Sequence, residues 1–201
     1  MKTPLRYQMS DFDCGSVSLL NCLSYLFDRE EIPTELIRVV STYSLTFYDV
    51  KGRLDKTTTQ KSLPFYISAW INKFALQKRI PLKSKFLKGA EATIYELVEC
   101  LKQGGCVNMK TYRGDEIQYI AITAIDDEFV YLFDPHFKIG WDYQKSTTVD
   151  VIDDNPFAFN RRVALEHFLS ERPIEYAMGP AMHREMVVLK RSDSLLEREL
   201  G

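Results

Sequence analysis

Cysteine and histidine are scarce in this 201-residue chain, with four of one and three of the other. The cysteines stand at 14, 22, 100 and 106, without a Cys-x-x-Cys pair, so the spacing of a zinc site is missing. His136, His167 and His183 are too scattered to supply one. No charge of one sign dominates either: 26 Lys+Arg face 28 Asp+Glu, a formal net charge of −2. A nucleic-acid binder needs a surplus of cations against phosphate, and there is none. No run approaches the ~18–20 apolar residues that span a bilayer. The first fifteen residues, MKTPLRYQMSDFDCG, lack the apolar core of a signal peptide. Nine glycines and eight prolines are too few for a linker-like or collagen-like chain. These absences predict a cytoplasmic protein with no nucleic-acid partner, no membrane span, no metal and no cofactor.

What is present is ordinary for a globular domain: 45% hydrophobic and 27% charged residues. The length suffices for one well-filled core. Residues 13–28 carry apolar side chains at 17, 19, 20, 22, 23, 26 and 27, a broad helical stripe with Asp13 as N-cap. Further helices are expected from Pro33 through TELIRVVSTYSL, over 62–78, and over 92–103, the last ending at Gly104-Gly105. Residues 49–61 are polar and unpatterned, an exposed loop, and PLKSKFL is a short strand. The period then changes. CVNMKTYR, EIQYIAITAID and EFVYLFD are rich in Val, Ile, Tyr and Phe and read as strands, with Asp126-Asp127 turning the second into the third. Asn155-Pro156 marks a turn. RVALEHFL reads equally as strand or short helix, and REMVVLKR as a last strand. Residues 192–201 form a polar tail. Nothing divides residues 1–191, so one α+β domain is expected, with N-terminal helices packed on a mostly antiparallel C-terminal sheet.

The chemistry-bearing residues open the first helix. Cys14 lies at the helix start, where free N–H groups and the helix dipole favour a thiolate. Gly15 lets a ligand backbone come close. The Gln8 amide stands six residues upstream, placed to donate to an oxyanion beside the thiol. Taken alone, a cysteine in such a position is more often simply packed, as free cysteines are among the most buried residues. Cys22, Cys100 and Cys106 read as core. Trp70 and Trp141 read as packing residues, and Arg161-Arg162 as a solvated or locally paired couple.

Gln8, Cys14-Gly15 and the apolar helix that follows, QMSDFDCGSVSLLNCLSYLF, resemble the papain-like cysteine peptidases, and more closely their C39-like group. The second half of that group's pattern is a His opening a strand, a hairpin, and a strand ending in Asp-Pro. QYIAITAIDDEFVYLFDP is similar to it, with Asp134-Pro135 at its end. The resemblance covers residues 5–30 and 100–137. It implies a papain-like fold, with Cys14 as nucleophile, Gln8 at the oxyanion, Asp134 orienting the base, and a peptide or leader peptide as partner.

The residue at the histidine position is Gln118. Glutamine does not titrate near neutral pH, so it neither takes the thiol proton nor returns it to a leaving amine. That loss costs on the order of 10³–10⁶ in rate by analogy with triad deletions. His136, two residues past Asp134, is the one nearby histidine, and Pro135 stiffens its approach. Tyr119 alternates to the face of the strand opposite Gln118. The expectation is therefore a pseudo-peptidase that holds an extended peptide in the old cleft. The alternative is a thiol peptidase or acyl transferase that uses Cys14 with His136, or one whose histidine at 118 has been replaced.

Overall fold

The computed structural model describes residues 1–9, 13–43, 63–114, 116–137 and 147–192. Helix α1 runs Cys14–Leu26, α2 Thr34–Tyr43, α3 Leu63–Lys78, α4 Ile94–Lys102 and the single turn α5 Leu165–Phe168. Strands are β1 Leu82–Lys88, β2 Cys106–Arg113, β3 Glu116–Ile125, β4 Phe129–Phe133, β5 Val149–Val151, β6 Arg161–Ala164 and β7 Glu185–Arg191. They form one seven-stranded sheet in the order β1-β7-β2-β3-β4-β6-β5. Every pairing of neighbours in it is antiparallel. The molecule is thus a mixture of helices and an antiparallel sheet. Among the described residues, no helix is long and apolar enough to cross a membrane.

Two apolar layers sandwich the sheet. On one face Leu19, Cys22, Leu23 and Leu26 of α1 pack with residues of α2 and α3 against Cys106, Ala121, Phe133, Val187 and Leu189. On the other, Leu97 and Cys100 of α4 and Phe168 of α5 pack against Val107, Met109, Ile120, Ile122 and Leu132. The strict alternation of strand side chains produces this split: Ala121 faces α1, while Ile120 and Ile122 face α4.

Several local readings shift on inspection. Asp13 stands at the N-cap of α1, but its side chain makes no cap bond and its backbone is in the αR region. Its carbonyl does the work instead, accepting from Val17 N–H at 2.9 Å and Ser16 Oγ at 3.0 Å. Helix α4 is capped as its sequence suggests, by Thr93, whose side chain accepts from Glu96 N–H. It ends in Gly104 at φ +71°, the left-handed conformation glycine adopts without strain. RVALEHFL is neither strand nor helix alone: β6 runs directly into α5. The short edge strand β5 has no alternating apolar run and goes unseen in the sequence. The loop expected at 49–61, Trp141 and the tail from 193 lie outside the described residues.

Candidate active site

Strand β3 is longer than its neighbour. β4 ends at Phe133, opposite Ala121, so residues 116–120 of β3 run past it. The backbone N–H of Tyr119 lies in this stretch and donates to the sulfur of Cys14. The first turn of α1 therefore meets the sheet where a ladder partner is missing, one residue from Gln118. Cys14 is only 5% exposed. Burial pushes its thiol above the ordinary value of 9.0, against the opposite pull of the Tyr119 N–H, the Arg113 charge and the Gly15 N–H; the Asp134 charge adds to the rise. The helix start was expected to ease ionisation. Desolvation outweighs it, because a thiolate removed from water loses more than a few N–H dipoles return.

Gln8 is held beside this turn by main-chain bonds. Asn21 of α1, fully buried, accepts from Arg6 N–H at 2.8 Å and donates to Arg6 O at 2.9 Å. Leu5 N–H reaches Pro156 O, and Gln8 N–H reaches Pro135 O at 2.7 Å. The segment 5–8 is thereby pinned between α1 and the end of β4. The side chain of Gln8 is less fixed: its Oε1 is buried with no hydrogen-bond partner among the described residues.

Gln118 and Asp134 are in direct contact, which fits the spacing of the two positions. Nε2 of Gln118 donates to Oδ1 of Asp134. A carboxylate only accepts, so this contact sets the orientation of the amide and turns Oε1 away from Asp134. That oxygen is buried and has no partner among the described residues. His136 also reaches Asp134 Oδ1, but through its backbone N–H, at 2.7 Å. By alternation Gln118 is in step with Ile120, on the α4 face of the sheet.

The sequence reading missed two residues here. Asn160 clamps the Asp134 peptide from both sides, accepting from its N–H and donating to its O, each at 2.8 Å. Tyr176 donates its phenol proton to Asp134 Oδ2 at 2.6 Å, from 42 residues away. Single asparagines and tyrosines are too common to mark either position. A third group adjoins the thiol on the α1 face. Tyr119 donates to Glu185 at 3.4 Å, and Glu185 pairs with Lys110 at 3.4 Å and Lys88 at 3.7 Å. Alternation does put Tyr119 opposite Gln118, yet this is the face that carries α1, so Tyr119 is more than a remote packing residue. Ser18 Oγ and Asn108 Nδ2 are also buried without partners among the described residues. Cys22, Cys100 and Cys106 are buried free thiols, and burial holds Cys100 up at about 11. Among the described residues no group of His, Cys, Asp and Glu is arranged to hold a metal.

The fold is similar to that of a solved structure from Bacillus anthracis described as a "putative C39-like peptidase". The match covers 94% of this chain and 95% of that one, at 16% sequence identity and a TM-score of 0.51. At that identity the likeness establishes a shared fold. The sequence matches no protein-family model and no curated protein.

Proposed function

We propose that this protein is a degenerate papain-like relative of the C39-like peptidases that binds an extended peptide in the former catalytic cleft without cutting it. The observation that carries this reading is the contact between Gln118 and Asp134. By the resemblance Gln118 stands at the family's histidine position, and the carboxylate that would orient an imidazole holds an amide instead. The buried thiol, with its acidity reduced, fits the same reading. Cys14, Gln8, Gln118 and Asp134 are then the remnants of nucleophile, oxyanion donor, base and orienting acid. The peptide would be held by main-chain pairing and side-chain pockets, and a leader peptide fits that mode of binding. Residues 1–191 act as one domain, in the cytoplasm.

The test is capture of a defined random decapeptide library on the immobilised protein, read by mass spectrometry. Retained peptides of full length are expected. Cleaved peptides would overturn the pseudo-peptidase reading, and no retention would overturn peptide binding. A second arm uses Gln118→His. If the register is right, the imidazole bridges carboxylate and thiol, and alkylation of Cys14 near neutral pH accelerates about tenfold or more. An unchanged rate in a folded variant would sink the assignment of residue 118.

A further inference from the structure

Tyr176 combines three properties that seldom coincide. It is fully buried, its φ is +61°, and its one polar side-chain atom is spent on Asp134. A bulky residue in the left-handed region is strained and persists only where its surroundings over-determine it. Here they do. Tyr176 N–H reaches Tyr112 O at 3.3 Å, Glu175 bridges Tyr112, and Met178 N–H reaches Phe168 O at 2.8 Å. Gly179, next along, packs so closely on the Tyr112 ring that a Cβ there would sit 2.4 Å from it. The segment is thus wedged against β2 with the phenol directed at the carboxylate.

Asp134 receives three donors: Gln118 Nε2 and His136 N–H on Oδ1, and the Tyr176 phenol on Oδ2. All three are neutral, and none of the ion pairs among the described residues includes Asp134. Each donor draws charge from the carboxylate and leaves less for the side chain at 118. We propose that Tyr176 is a positioning residue of this site: its phenol shares Asp134 with residue 118, aims the carboxylate at that residue, and sets how strongly the carboxylate holds it. The proposal rests on the reading of Gln118 and Asp134 as a former catalytic pair and adds a member that the hairpin itself does not contain. It also accounts for the tolerance of an amide at 118, because a carboxylate already occupied by neutral donors has less hold on an imidazolium.

The titratable and charged groups around Asp134 are Tyr176, the Cys14 thiol, His136 and the Arg161 guanidinium, which donates to Asn160 O at 2.7 Å. The test follows the Asp134 carboxyl carbon by NMR through an acid titration, in the parent and in Tyr176→Phe. Loss of the phenol donor should raise the midpoint by about 0.5–1 pH unit. In Gln118→His, adding Tyr176→Phe should raise the imidazole midpoint by a similar amount. A tyrosine that only fills space would change stability and move neither midpoint, and unmoved midpoints in a folded variant overturn the proposal. Should Tyr176→Phe not fold, the unsubstituted protein supplies the answer. Its Tyr176 hydroxyl proton should exchange slowly, resonate downfield, and shift when Asp134 is protonated; indifference to that protonation overturns the proposal. None of these readouts involves thiol chemistry or peptide capture, so failure here and failure of peptide binding are told apart.

Discussion

The two ends of the candidate site are built to different standards. At the carboxylate end, Asp134 has its N–H, its O and both side-chain oxygens engaged by Asn160, Gln118, His136 and Tyr176. At the thiol end, the Asp13 side chain makes no cap bond, Gln8 Oε1 and Ser18 Oγ have no partner among the described residues, and the thiol is pushed away from ionisation. A geometry that holds one group in one orientation stands at the hairpin. In the proposed reading, the thiol end lacks the imidazole that would make precision there useful. The contrast teaches that a carboxylate's hydrogen bonds contribute to folding whether or not catalysis follows, whereas an activated thiol contributes nothing to folding.

The largest expected effect is at Asp134. Asp134→Ala strands two buried donors and a part-buried one and should cost about 3–5 kcal/mol, measured as a shift of the urea midpoint. A loss below about 1 kcal/mol would erase the contrast between the two ends.

The next effect is on pH dependence. Cys14, Cys100 and Cys106 are all raised in the folded protein above the ordinary thiol value of 9.0. Their contribution is fully present below that value and is lost as pH rises, because unfolded thiols ionise while the buried ones keep their protons. Stability should fall as pH rises past 9.0 toward the raised value of about 11 held by Cys100. Cys14→Ala should remove one share of that fall, and an unchanged slope would mean that the thiol is not desolvated in solution.

The smallest effects are at the loose end. Ser18→Ala removes a buried hydroxyl without a partner among the described residues, so stability should stay within about 0.5 kcal/mol or rise slightly. Gln8→Ala should behave alike, since its main-chain bond to Pro135 remains. A loss at Gln8 comparable to that at Asp134 would make it a structural anchor and would weaken its reading as an oxyanion donor.

Much of the architecture was legible because its signals are local. Leu19, Cys22, Leu23 and Leu26 repeat at helical spacing, and CVNMKTYR coincides with β2 residue for residue. The change from helical to alternating period announced helices before strands. The Gln118–Asp134 contact was legible too, since a hairpin of set length places its two ends together. Strand β5 was not, because three residues on a sheet edge carry no period. Asn160 and Tyr176 were not, because their roles depend on chain that returns to Asp134 from 26 and 42 residues away.

The sequence by itself determined the element types, the pairing of residues 118 and 134, and the absence of an imidazole at 118, each a property of neighbours in the chain or of one side chain's chemistry. Only the tertiary structure decided how the thiol behaves and what holds the carboxylate. Helix position argues for an easily ionised Cys14, but burial depends on what packs over it, and here desolvation wins. Hydrogen bonds from Asn160 and Tyr176 close loops that no local pattern records, and they leave Asp134 the most firmly placed group of the site.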